Sequence, residues 1–145
     1  MKIFVDADGC PVTKITVNIA KKYNLQCTLL CDTSHVINSD YAEVITVCKG
    51  ADSVDFALVN RVSKGDIVVT QDYGLAAMCL AKSAIALNQN GLVFSNDNID
   101  ALLLQRHTAK KIRNSGGRFK NHAKRTQNED IAFENALTSL ILQNL

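Results

Sequence analysis

The chain has 145 residues, 47% of them apolar and 21% charged, the balance of an ordinary globular protein with material for one sizeable core. No apolar run approaches the roughly 20 residues of a membrane-spanning helix, and the first residues show no basic, apolar and small-residue succession of a signal peptide. Five cysteines (Cys10, Cys27, Cys31, Cys48 and Cys79) are odd in number and form no CxxC pair, which points to reduced thiols and a cytoplasmic protein.

The net charge of +2 conceals an asymmetry. Residues 106–125 hold eight of the sixteen basic residues and no acid, which leaves eight bases against fourteen acids elsewhere, a balance of −6. An acidic body with one basic arm suits a polyanionic partner.

In chain order, Ile3-Phe4-Val5 is a short apolar run of the buried-strand kind, and Asp6-Ala7-Asp8-Gly9-Cys10-Pro11 leads out of it into a helix. Periodicity predicts that helix over 12–23, with Ile15, Ile19 and Ala20 inward. A strand over 25–30, a polar loop over 32–41 and a strand over 43–48 follow. The next helix runs from Gly50-Ala51-Asp52 to about residue 63, with Val54, Ala57, Leu58 and Val62 at helical spacing. Gly65-Asp66 opens the clearest strand, 67–70, and a helix over 73–82 comes next. Asn90-Gly91 between 84–87 and 92–94 reads as a hairpin. Helices are expected over 99–113 and from 128 or 129 to 142, the last carrying Phe133, Ala136, Leu137, Leu140 and Ile141. Strands alternating with helices imply an α/β domain spanning 1–145, with a mostly parallel central sheet and helices on both faces.

Acids gather where strands end and helices begin. Asp6 and Asp8 are two apart, so in extended backbone they point the same way and could converge on one cation. Asp52 and Asp55 are three apart on a helix face. Asp72 follows the 67–70 strand by two residues, beyond Thr70. Each has a structural reading too: Asp8, Asp52 and Asp72 could cap helices, Asp6 could end a strand, Asp55 could be solvated, and Asp66 is turn chemistry. Together, Asp6, Asp8, Asp55 and Asp72 at one carboxyl edge would form an all-oxygen site for Mg²⁺ or Mn²⁺. Such a site suits phosphodiester hydrolysis by an activated water. Thr70 would hold that water or end its strand, and Tyr73 could stack a base. His35, in the polar loop, reads as an exposed surface histidine.

The basic segment 106–127 carries Arg106, Lys110 and Arg113 on one side of a helix, then Gly116-Gly117-Arg118-Phe119-Lys120 and Lys124-Arg125-Thr126. Lys and Arg at a bent, glycine-containing segment meet phosphates well, and Phe119 could stack on an unpaired base. A solubilising surface with Phe119 packed inward is the other reading.

Val5-Asp6-Ala7-Asp8-Gly9-Cys10-Pro11-Val12, Gly50-Ala51-Asp52-Ser53-Val54-Asp55, Gly65 through Ala76, and Gly116-Gly117-Arg118 with Lys124-Arg125-Thr126 occur in that order. Together they resemble the YaiI/YqxD family of bacterial proteins over nearly the whole chain. The resemblance implies a PIN-like nuclease domain, with Asp6, Asp55 and Asp72 catalytic and Asp8 and Asp52 accessory; from the residues themselves, Asp8 also reads as a metal ligand and Thr70 as a further accessory. Two departures stand out: Gly9 where the pattern has alanine, and Asn121-His122 where it has Gly-Pro.

The leading expectation is a Mg²⁺- or Mn²⁺-dependent nuclease acting on RNA. Arg106, Lys110, Arg113, Arg118, Lys124 and Arg125 would hold the phosphate backbone. Asp6-Ala7-Asp8-Gly9 also looks like the opening of a haloacid-dehalogenase phosphatase, with Asp6 as nucleophile and Asp8 as general acid. A non-catalytic RNA- or protein-binding module is the third reading. RNA against DNA, endo- against exo-cleavage, metal number and oligomeric state stay open at this level.

Overall fold

Residues 3–5 are apolar without alternation, as a strand covered on both faces must be, and Ile3, Phe4 and Val5 are buried within β1 (Lys2–Asp6). The computed structural model describes residues 1–50, 52–114 and 124–145, with backbone alone over 106–114. After β1 come α1 (Thr13–Lys22), β2 (Gln26–Asp32), β3 (Glu43–Val47), α2 (Ser53–Arg61), β4 (Ile67–Val69), α3 (Tyr73–Ala81), β5 (Ile85–Leu87), α4 (Asn96–Asn114) and α5 (Gln127–Asn144). The expected α/β architecture is the observed one. The strands make one all-parallel sheet in the order β3-β2-β1-β4-β5.

Side chains alternate across a strand, and the sheet buries two cores accordingly. Ile3 and Val5 join Leu29, Ile67 and Val69 beneath α1 and α5, which contribute Ile19, Ala20, Phe133, Leu137 and Ile141. Phe4 faces the other way with Leu30, Val68 and Ala86, under Val54, Leu58, Leu75, Ala76, Cys79 and Ile99 of α2, α3 and α4. All five cysteines are free, and burial pushes the Cys27 and Cys79 thiols up to about 12, so they act as small core residues. No helix among the described residues is long and apolar enough to cross a membrane.

Three local differences from the sequence reading have identifiable causes. The 92–94 segment forms no strand, only an antiparallel bridge between Leu87 and Val93. There the Asn88 side chain accepts the Asn90 and Leu92 amides, both at 2.9 Å, and closes the loop, so the antiparallel pairing is limited to the Asn88 amide on the Leu92 carbonyl at 2.9 Å and the Phe94 amide on the Ala86 carbonyl at 2.8 Å. Gly91 at φ +85° completes that loop where a Cβ would meet the Ala132 carbonyl of α5 at 2.7 Å. The start of α4 falls at Asn96 because Ser95 and Asn98 cap each other reciprocally, at 2.9 and 3.2 Å. Asp52 stands at the N-cap of α2 in left-handed backbone (φ +60°) and makes no side-chain cap bond. Asp66 is the turn residue it reads as: buried, it accepts the Lys2 and Ser63 amides at 3.0 and 2.9 Å.

Candidate functional site

Ligands of doubly wound sheets bind outside the carboxyl ends of the strands, at the point where the chain reverses its direction of travel across the sheet. That point lies between β1 and β4. The chain leaves β1 for β2 and β3, then returns to lay β4 on the other side of β1. Asp6 is the last residue of β1, and Thr70 and Asp72 lie just past β4.

Thr70 ties the two strand ends together. Its amide continues the ladder to the Leu87 carbonyl at 3.1 Å, which fixes where its hydroxyl points. That hydroxyl donates to Asp6 Oδ2 at 2.9 Å and accepts the Asp72 amide at 3.0 Å. Asp72 caps α3, its Oδ1 accepting the Gly74 and Leu75 amides at 2.8 and 3.2 Å. Both the capping role and the strand-exit position read from the sequence therefore hold at once. Asp72→Ala removes both cap bonds and should cost about 1–2 kcal/mol, whereas Asp72→Asn keeps the acceptor and should unfold within about 0.5 kcal/mol of wild type. Thermal unfolding of the two variants side by side checks this.

Burial pushes the Asp6 carboxyl up to about 6; the Thr70 hydroxyl opposes that rise, and the negative charges of Asp8 and Asp72 reinforce it. Asp6 thus feels both of these neighbouring carboxylates at the reversal point. Asp72 also shares a groove of about 440 Å³ with Asp52, Asp55, Phe56, Gly74 and Met78. Asp55 enters it from the first turn of α2. The structure therefore gathers Asp6, Thr70 and Asp72 directly, and sets Asp55 and Asp52 beside Asp72.

Asp8 behaves differently from the same-face expectation. β1 ends at Asp6, the Ala7 amide still pairs with the Leu30 carbonyl at 2.9 Å, and Gly9 turns the chain at φ +67°. The Asp8 carboxylate consequently accepts the Asp32 amide, at 3.3 and 3.2 Å to its two oxygens, and sits 2.7 Å from His35 Nδ1. His35 Nδ1 also lies 3.4 Å from Asp32 Oδ1. His35 is exposed, as read from the sequence, and it stands against two carboxylates that the sequence reading did not place there. Its partner Asp32 went unnoticed at that level, although the register pairing Asp6 with Leu30, carried two residues further, sets Asp8 against Asp32.

Of the basic residues, Lys124 is exposed. Arg125 is engaged by protein acceptors: Nε meets Asp130 Oδ1 at 2.7 Å, one terminal nitrogen Asn90 Oδ1 at 2.7 Å, and the other the Gln89 carbonyl at 2.6 Å. It clamps the start of α5 to the loop after β5. The side chains of Arg106, Lys110 and Arg113, and the whole of Arg118 and Phe119, lie outside the described residues.

The family model described as "Uncharacterized BCR, YaiI/YqxD family" matches residues 4–143. The chain is 51% identical over 143 residues to a UPF0178 protein of Exiguobacterium sibiricum, covering 99% of this chain and 98% of that one. It is 55% identical over 141 residues to a UPF0178 protein of Ruminiclostridium cellulolyticum (97% and 92% covered). With a UPF0178 protein of Clostridium acetobutylicum it shares 49% over 145 residues (99% and 98%). No solved structure matches the chain.

Proposed function

This chain belongs to the YaiI/YqxD family, and from that premise and the geometry at the sheet edge we propose that it is a metal-dependent nuclease of the PIN-like type, hydrolysing phosphodiester bonds in RNA. The observation that carries the reading is the Asp6–Thr70–Asp72 chain at the reversal point, with Asp55 in the adjoining groove. The charges of Asp8 and Asp72 add to the rise of the Asp6 carboxyl, and acids gathered in this way ask for positive charge among them.

The donor set fits a hard cation. Asp6, Asp55 and Asp72 offer only oxygen, with the Thr70 hydroxyl alongside, the ligand chemistry of Mg²⁺ or Mn²⁺. Such an ion supplies charge stabilisation to a phosphoryl group and activation of water. The chain supplies the positioning. Thr70 holds Asp6 at one angle, the cap bonds hold Asp72, and α2 carries Asp55 toward the groove. Basic residues of 106–125 would then meet the phosphates on either side, Lys124 among them.

The test is cleavage of a single-stranded RNA oligonucleotide in Mn²⁺, together with Mn²⁺ calorimetry, on wild type and on Asp6→Asn/Asp72→Asn. Wild type should cut, and the variant should lose one bound Mn²⁺ and at least about 100-fold in rate. A wild type inert toward RNA and DNA with metal present would overturn the reading. Phosphoryl transfer onto Asp6 from a small phosphate ester would move the assignment to the phosphatase reading.

A further inference from the structure

Beside this all-oxygen site lies a side-chain cluster of different chemistry. One carboxylate oxygen each from Asp8 and Asp32, and a ring nitrogen of His35, all lie within 4.8 Å of one another. We propose that Asp8, Asp32 and His35 form a second, mixed nitrogen–oxygen cation site that takes Zn²⁺ in preference to Mg²⁺. The proposal stands on these three residues and does not depend on the nuclease reading.

The distances decide in its favour. Zinc bonds of 2.0–2.1 Å in tetrahedral array set neighbouring donor atoms about 3.3 Å apart. His35 Nδ1 and Asp32 Oδ1 are already separated by 3.4 Å. His35 Nδ1 and Asp8 Oδ1, at 2.7 Å, are at hydrogen-bond distance and must part by about 0.6 Å to share an ion in that geometry. A small swing of the imidazole achieves that, because the His35 side chain is half exposed, at 48%.

Both carboxylates are oriented by hydrogen bonds from neighbouring residues, as metal-binding carboxylates characteristically are. Asp8 receives the Asp32 amide, and Asp32 Oδ1 receives the Ser34 amide at 2.8 Å and the Ser34 hydroxyl. The cluster therefore joins the turn after β1 to the turn after β2 through fixed backbone. Two carboxylates and a neutral imidazole carry a charge of −2, which one divalent ion cancels. Imidazole favours the later first-row ions, whereas Mg²⁺ prefers oxygen alone. Three protein donors leave a fourth tetrahedral position for water or substrate, the open arrangement of catalytic rather than structural zinc.

Zn²⁺ titration against a competing chromogenic chelator tests the site, on a Cys48→Ser background because the exposed Cys48 thiol would also ligate zinc. The full chain should bind a zinc ion that Asp6→Asn/Asp72→Asn retains, and that His35→Ala and Asp32→Asn each weaken by at least about tenfold. Zinc should raise the melting temperature of wild type but not of His35→Ala, whose own fold circular dichroism verifies. Excess Mg²⁺ should not displace the zinc. Equal zinc affinity in wild type and His35→Ala, or no zinc binding by wild type, would overturn the proposal. Loss of zinc in Asp6→Asn/Asp72→Asn but not in His35→Ala would place the ion with Asp6 and Asp72 instead.

Discussion

Asp6→Asn should raise the melting temperature of the metal-free protein at pH 7. The Asp6 carboxyl moves from its ordinary 3.8 to about 6, chiefly through burial and then through the charges of Asp8 and Asp72. The folded state therefore binds this proton more tightly than the unfolded state does. The stability that the protonated carboxyl contributes is complete below pH 3.8 and is lost as pH rises through about 6. At 1.36 kcal/mol per decade, ionised Asp6 costs on the order of 2–3 kcal/mol at pH 7.

Asparagine is neutral at every pH and still offers an oxygen to the Thr70 hydroxyl. Its variant should gain most of that cost, about 5–10 °C for a chain of this length. Its stability curve between pH 4 and 6 should also be flatter than that of wild type. With Asp6 as a ligand, as proposed, Mn²⁺ should reverse the ranking, since an ion that binds only the folded state adds stability by mass action and the variant would lack one ligand. Parallel thermal melts at several pH values, with and without Mn²⁺, read both effects. A metal-free variant less stable than wild type at pH 7 would mean that the ionised carboxylate is a net support of the fold.

Phe133→Ala should be the most damaging single change in the helical layer. Among the described residues Phe133 has the greatest volume of the fully buried side chains, and it sits with Leu137 and Ile141 on the buried stripe of α5. Truncating a buried phenylalanine costs about 3–5 kcal/mol through lost transfer energy and the cavity left behind. Against a total stability of about 5–15 kcal/mol, that is a large fraction. Urea unfolding should show a lower midpoint at unchanged slope, the sign of lost stability without a changed unfolded state. A cost below about 1 kcal/mol would mean that α5 contributes little to this core.

Much of the fold was legible because its signals are local. Unbroken apolar runs at 3–5 and 67–69 need covering on both faces, so they imply a parallel sheet clad in helices. Gly65-Asp66 and Asp72 mark element ends whatever the surroundings. The meeting of Asp6, Thr70 and Asp72 is nearly as legible, since two strands side by side bring their exits together. The Asp8–Asp32–His35 cluster was not, because it depends on β2 being the other neighbour of β1, which no local spacing encodes. Arg125 reads as a free cation in sequence, yet Asp130 comes within reach once α5 begins with the Glu129 carboxylate accepting the Thr126 amide at 2.9 Å. The 92–94 segment has strand composition, but the Asn88 side chain takes the Leu92 amide, and pairing is confined to the bridge where the Phe94 amide meets the Ala86 carbonyl.

The central place of β1 also governs the order in which the protein is made. β1 precedes β2 and β3 in the chain, and those three strands can associate while the later ones are still being translated. Its opposite edge must wait for β4: the Lys2 amide meets the Asp66 carboxylate across a separation of 64 residues, and Ile3 pairs with Ile67. Until then that edge is an unpaired hydrogen-bonding template, open to strands of other nascent chains. Closing so long a loop is slow on entropic grounds. Pairing of β4 with β1 and creation of the Asp6–Thr70 contact are therefore one and the same late event, and a chain stalled before residue 67 has neither.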